Sequence, residues 1–320
     1  MMALLVFKEK LKQFYGKYSY FIIPIAKFAL GALAFYLINA NIGFMEKLNH
    51  PLIPVVMGLI ASFMPCGATA FFAGGFILVH VSRVSLEVAL ILSLLIVAVM
   101  MLYYSFRPGD GYLLLLTPMM FFFKIPYVIP LIVGLSGGLA SIIPVSCGVC
   151  MYYIMMYMKQ NAGVLAGSSM AEIAERFIQV FKSVFGNELM WIMVVAFAAA
   201  ILVVFLIKNL AVDFAWSIAI IAGVITQLIV IFIGDFNYNL PIGVGSMVAG
   251  IVVSVLLALL YQFFVFAVDY SRTEYLQYED DEYYYYVKAV PKNVIAEPKK
   301  TVKRIVSQKK QVKTVKRIDS

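Results

Sequence analysis

The sequence is short of charge, of histidine and of cysteine. Charged side chains make up 13% of the 320 residues, against about 25% in an average soluble domain. That shortage excludes a soluble enzyme and a disordered chain. Two histidines leave little material for histidine-based catalysis. The three cysteines, Cys66, Cys147 and Cys150, lie in apolar surroundings, which excludes a secreted disulfide scaffold. No GxxxxGK[ST] phosphate loop, HExxH or GxSxG pattern occurs, and no nucleophile–base pair is visible. No catalytic residue, metal ligand or cofactor is therefore expected.

What is there is apolar. Hydrophobic residues are 63% and aromatics 15%. Several uninterrupted runs exceed the roughly 20 residues that cross a bilayer. The expected fold is all-α, a polytopic transmembrane helix bundle with a low-complexity tail.

The charges divide the chain. Residues 1–20 hold Lys8, Lys10, Lys12 and Lys17 against Glu9. Residues 21–268 hold nine basic and eight acidic side chains, and residues 269–320 hold twelve and eight. Basic ends beside apolar spans read as cytoplasmic by the positive-inside rule. Both termini are thus expected on the cytoplasmic side of the membrane, which requires an even number of crossings. The run Phe21–Ile42 reads as a retained first helix rather than a cleaved signal. Lys27 near its start is placed to snorkel to headgroups.

Segments 51–81 and 126–158 are each about 30 residues without a charge and are rich in Pro and Gly. Between them, 86–106 reads as a clean helix, Arg107–Asp110 as a turn and 111–124 as a short span. Ser169 to Phe185 has helical periodicity, with Ile173, Phe177, Val180, Phe181 and Val184 on one face. Ser168 or Ser169 would cap it, with Glu172 in its first turn. It reads as an amphipathic helix that lies at the interface or packs on the bundle. Three plain spans close the body at 189–207, 212–233 and 242–268. Counting each long segment once predicts eight crossings; a helical hairpin in either long segment would change that parity. That count places Arg83, Lys124 and Lys208 inside, and Arg107, Lys159 and the amphipathic helix outside.

The two long segments resemble each other. Ile53-Pro54, Gly58-Leu59 and Pro65-Cys66-Gly67 recur as Ile129-Pro130, Gly134-Leu135 and Pro144-Val-Ser-Cys147-Gly148. Paired broken helices point to a transporter-like site. Close helix packing through small residues explains the same pattern equally simply. The positions most able to bind a solute are Pro65, Cys66, Thr69, Ser136, Ser141, Pro144, Ser146 and Gln227. Gln227 is the clearest polar side chain near a span centre. No ionisable residue falls at the midplane, which argues against an ion-coupled carrier. His80 reads as interfacial. Cys147 and Cys150 have redox-like spacing but no cationic neighbour in sequence, so apolar packing is the expectation.

The tail combines an acidic-tyrosine block with a basic block. Glu279, Asp280, Asp281 and Glu282 precede Tyr283, Tyr284, Tyr285 and Tyr286. From 287 onward eleven basic residues face two acidic ones. The basic part suits anionic lipid headgroups, at about 1 kcal/mol per residue near the surface. Docking to an acidic partner or nucleic acid is the competing reading, with nucleic acid disfavoured because the tail starts at the membrane. The acidic-tyrosine block either pairs with the basic block, forms a strand that a cytoplasmic partner augments, or is a solvated linker.

The stretch VDYSRTEYLQYEDDEYYYYVKAVPK resembles the tail of a family of multi-pass membrane proteins from Gram-positive Clostridia, and the likeness extends through KNLAVDFAW and IGDFNYNLPIG. The resemblance implies a polytopic fold and, through the permease label of some members, a transport role. It implies no catalytic residues. The run PCGATAFFA at 65–73 is faintly similar to the membrane region of the stage II sporulation phosphatase, and this chain has no phosphatase domain. The functional expectation is a transporter-like component without its own ATPase. The alternative is a membrane scaffold whose tail recruits a partner.

Overall fold

The computed structural model describes residues 2–165, 173–210, 212–238, 243–265, 274–279 and 284–289. The chain divides into two units, Lys10–Phe266 and a smaller one made of Met1–Glu9 with Ala267–Ser320.

Eleven α-helices occur among the described residues. They are α1 (Met2–Ile42), α2 (Leu52–Phe63), α3 (Cys66–Ser82), α4 (Leu86–Phe106), α5 (Gly111–Phe122), α6 (Val128–Ser136), α7 (Ile142–Leu165), α8 (Ile173–Phe185), α9 (Glu188–Lys208), α10 (Ala215–Tyr238) and α11 (Val244–Val265). Six stretches are long and apolar enough to cross a bilayer, within α1, α4, α7, α9, α10 and α11. Their ends follow local chemistry. Ser85 and Asn187 cap α4 and α9 by accepting from Val88 N–H and Met190 N–H. Glu188 in the first turn and Lys208 in the last complement the α9 dipole.

Segment 51–81 is not one crossing. Pro65 disfavours helix at the preceding residue, and both Met64 and Pro65 are extended. The chain then doubles back. Gly58 packs on Ala32, and Ser62 donates to Pro24 O, so α2 runs antiparallel to α1. Phe35 meets Phe76, and Asn39 meets His80, so α3 runs parallel to it. Segment 126–158 also folds back. Gly137 and Gly138 are extended and separate α6 from α7. Leu131 and Leu135 follow Val204 along α9, whereas Tyr157 and Tyr153 pass Leu189 and Met193 in the opposite sense. The stretch 111–124 is helix α5, whose 12 residues span ~18 Å at 1.5 Å per residue. That is well short of a bilayer core of about 30 Å.

These reversals set the faces of the bundle. The C-terminal ends of α4 and α9 meet the N-terminal ends of α3, α5 and α7. Gly67 lies against Gly111, Ser141 bonds Asp110, and Lys208 bonds Gly137 O. Lys10 and Val265 leave on this same side, here named the terminal face. Arg107 and Lys208 therefore share a face, contrary to the sequence expectation, and Arg83 and Lys124 lie on the other, distal side. The expectation fails because α2, α3, α5 and α6 reverse direction where a plain span count does not.

Helix α8 is amphipathic as expected. Val180 and Val184 are buried, while Ile178 and Phe181 are exposed. Ser168, Ser169 and Glu172 lie outside the described residues. The tail is not wholly irregular. Strands β1 (Glu274–Glu279) and β2 (Tyr284–Ala289) pair antiparallel, with Glu279 opposite Tyr284 and Gln277 opposite Tyr286. Among the described residues, the end of β1 at Glu279 faces the start of β2 at Tyr284.

Candidate functional site

Two helical hairpins lie side by side in the bundle and enter from opposite faces. The first is α2–α3, entering from the distal face with its tip at Met64-Pro65. The second is α5–α6, entering from the terminal face with its tip at 123–127. They touch where α3 and α5 begin. A Cβ on Gly111 would lie 2.6 Å from Gly67 N and 2.5 Å from the Tyr103 hydroxyl oxygen. No other residue type fits that crossing.

Breaks of this kind free backbone carbonyls, and in a bilayer these need donors. Lysines supply them. Lys27 on α1 donates to Met64 O at 3.2 Å. Lys208 on α9 donates to Leu135 O at 2.9 Å and Gly137 O at 3.1 Å. Lys27 is therefore engaged with the hairpin tip, not only with headgroups. Lys208→Met should leave two carbonyls without their donor and cost ~2 kcal/mol. A lower melting temperature of the detergent-solubilised protein, with retained helicity by circular dichroism, is the expected reading.

At the terminal face, beside the start of α5, runs a polar latch. Arg107 Nε pairs with Asp110 Oδ2 at 3.1 Å, and the buried Ser141 hydroxyl donates to the same carboxylate. Tyr103, itself buried, donates to Pro108 O and braces the turn.

The sequence candidates distribute around this framework. Pro65 is the N-cap residue of α3 and lines an apolar groove with Phe71 and Tyr104. Cys66 is half-buried in the first turn, and the buried Thr69 donates to Pro65 O. Ser141 and Pro144 lie at the start of α7, with Ser146 half-buried one turn further. Ser136 is exposed and bonds Ile132 O within its own helix. The turn at 107–111 brings the Pro65–Thr69 and Ser141–Ser146 groups to the same face. Gln227 stays apart, buried on α10 with its amide donating to Gly223 O. Its Oε1 has no partner among the described residues. Cys147 belongs to one hydrophobic cluster and Cys150 packs on another. Among the described residues no group of three His, Cys, Asp or Glu side chains is placed to hold a metal ion. His80, in the last turn of α3, is buried within the protein, bonding Asn39 at 2.9 Å and Met45 N–H at 3.2 Å.

On the distal side the shortness of α5 and α6 leaves a vestibule. It has a volume of about 400 Å³, within the range of roughly 300–1,000 Å³ typical of ligand pockets. Its lining includes Lys124, Tyr127, Tyr152, Tyr153, Tyr157 and Gln160. Lys124 closes α5 as a Schellman turn. Its own N–H bonds Phe121 O, and Ile125 N–H bonds Met120 O. The Lys124 φ is +61°, a left-handed conformation normally taken by glycine. Phe121 stacks on Tyr152 with centroids 4.5 Å apart, and Tyr153 stands edge-on to both rings.

None of these vestibule residues stood out in the sequence. The available signal was a lysine set between Phe-Phe-Phe and Ile-Pro-Tyr, and a Tyr152-Tyr153 pair inside a charge-free stretch. Read as composition, both look like ordinary membrane aromatics. Of the acidic-tyrosine block, Glu279 ends β1 and Tyr284, Tyr285 and Tyr286 begin β2. Tyr286 is exposed. Asp280, Asp281, Glu282 and Tyr283 lie outside the described residues, as does the basic block after 289.

The chain matches no protein-family model, no curated protein and no solved structure. The protein is an integral membrane protein by its six long apolar helices.

Proposed function

We propose that this chain is a transporter-like membrane component of a bacterial plasma membrane, without an ATPase of its own. The observation that carries the reading is the pair of hairpins, α2–α3 and α5–α6, entering from opposite faces and meeting at Gly67 and Gly111. Discontinuous helices that pack face to face around a cavity are the usual frame of an alternating-access site. The latch of Arg107, Asp110 and Ser141 closes the terminal side of that frame. The vestibule opens on the distal side, lined by the tip of the second hairpin with α7, α9, α10 and α11 rather than by α2–α3. The likeness of 51–81 to 126–158 is read as an internal repeat, each copy a short helix, a break and a longer helix.

Six crossings are the proposed count, those of the six long apolar helices, with α2–α3 and α5–α6 both re-entrant. Lys10 and Val265, at the two ends of the larger unit, share the terminal face, which the positive-inside rule would assign to the cytoplasm.

The test is flux. Proteoliposomes holding the chain should move at least one member of a panel of organic anions, organic cations, sugars and amino acids faster than protein-free vesicles. Asp110→Asn should change that rate at least ~5-fold, since an opened latch removes one closed state. No flux for any solute by a folded protein sinks the reading.

A second reading has its own observation. The β1–β2 pair places Tyr284–Tyr286 in an ordered ribbon, which suits a scaffold that recruits a cytoplasmic protein, with the basic block resting on anionic lipid. Capture by the full-length chain of a partner that Tyr284→Ser and Tyr286→Ser together abolish would favour it. Binding of anionic vesicles alone would leave only a lipid role.

A further inference from the structure

We propose that the distal vestibule is a binding site for an organic anion with an aromatic body, a carboxylate being the simplest case. The site is built from three observations that transport by itself does not require. The first is charge. Lys124 is exposed to the cavity, and its ammonium has no hydrogen-bond or ion-pair partner among the described residues. Among the described residues no acidic side chain lines the cavity. A cation held in a recess without a counter-ion favours an anionic guest, because burial of that guest supplies the missing charge-assisted hydrogen bonds.

The second is shape. The aromatic wall is rigid. Phe121 and Tyr152 stack within 20° of parallel, Tyr153 packs edge-on at 5.2 Å from Tyr152, and Phe197 backs Phe121 at 5.7 Å. A flat ring finds stacking surface there without reordering the side chains, which keeps the entropic cost of binding small. The hydroxyls of Tyr127, Tyr152 and Tyr153 have no partner among the described residues. They are available as donors to the same anion.

The third is the backbone. Glycine is the residue that the Lys124 conformation suits. A lysine there is strained by its Cβ in the left-handed region, and such strain collects where a side chain is held for binding. Helix α11 fixes the strained turn from behind. A Cβ on Gly250 would come within 2.6 Å of Lys124 O, so the floor of the vestibule is packed against a rigid helix.

The proposal deepens the transport reading by naming a ligand class, and it is tested by binding rather than flux. Radiolabelled 2-naphthoate should bind the detergent-solubilised full chain saturably, and its neutral analogue 2-naphthylmethanol should compete at least ~10-fold less well. Lys124→Gly should weaken naphthoate binding at least ~10-fold while leaving the melting temperature unchanged or higher, since glycine relaxes the turn. Lys124→Gln should weaken it likewise, and Lys124→Arg should retain it. Tyr153→Leu should weaken both probes. Absence of saturable binding, equal competition by the neutral analogue, or undiminished binding by Lys124→Gly overturns the proposal. Naphthoate binding without flux of any solute would sink only the transport reading. Flux of other solutes without naphthoate binding would sink only this one.

Discussion

Gly111→Val is expected to abolish recovery of folded protein. The hydrogen that Gly111 presents occupies the one point where α3, α4 and α5 converge. A Cβ placed there would meet Gly67 N at 2.6 Å, Gly67 Cα at 2.7 Å and the Tyr103 oxygen at 2.5 Å. Two of these three are backbone, so no rotamer change relieves the clash. First, α5 must move off α3; second, Tyr103 is pushed from its bond to Pro108 O. The first separates the two hairpins, and the second leaves buried polar groups unpaired. Overpacking alone costs about 1–3 kcal/mol, and the lost bond adds about 1 kcal/mol. The expected measurement is loss of the monodisperse peak in size-exclusion chromatography after detergent extraction. Gly109→Ala is the control, since a Cβ there meets nothing within 4 Å. If Gly111→Val extracts and melts like the native chain, the contact between hairpins is not what holds this face.

His80→Leu is expected to destabilise the distal end of the α1–α3 pair by ~3 kcal/mol, because a buried donor and a buried acceptor each lose a partner. The chain of bonds is explicit. Met45 N–H donates to His80 Nδ1, which leaves the proton on Nε2 to be donated to Asn39 Oδ1. The Asn39 amide then donates to Leu48 O. One imidazole thus ties α1, the α1–α2 loop and α3 together, and the Phe76 ring packs edge-on against it at 4.7 Å. Leucine keeps the volume and removes both bonds, so the loss reports polar pairing rather than a cavity. Asn39→Leu should cost a similar amount. The double variant should cost less than the sum of the two, because the penalty for each stranded partner is then counted once. Strict additivity of the melting shifts would show that the two side chains do not act through each other. The same result would return His80 to an ordinary interfacial role.

The two predictions mark where sequence reasoning was sufficient and where it stopped. Pro65 marked a real break, because proline restricts the residue before it whatever the surroundings. Val180 and Val184 marked a buried face on α8, because helical periodicity is local. Gly58 and Gly134, which carry the internal likeness, both sit at close helix contacts, against Ala32 and Val204 respectively. Direction after a break is different. Pro65 says that the helix stops, but whether the chain continues across or turns back depends on which surface the next helix can bury. Here Thr69, Phe76 and His80 bury against α1, and that pairing sends α3 back beside it. The same applies to Lys124. As a sequence symbol it ended an apolar run and stood as a loop charge. Only the Schellman turn and the shortness of α5 recess it into an aromatic vestibule.

The amino-acid sequence by itself determined that this protein lives in a bilayer, because 63% hydrophobic and 13% charged residues leave the chain no other solvent. It also determined where helices break, because Pro, Gly and capping side chains act over three or four residues. The tertiary structure alone decided which way each broken helix turns, which lysines cap the freed carbonyls, and which tyrosines share a cavity. Those outcomes depend on residues tens or hundreds of positions apart, such as Lys208 with Leu135 and Lys159 with Asn41. Their separation along the chain carries no periodicity from which the contact is legible.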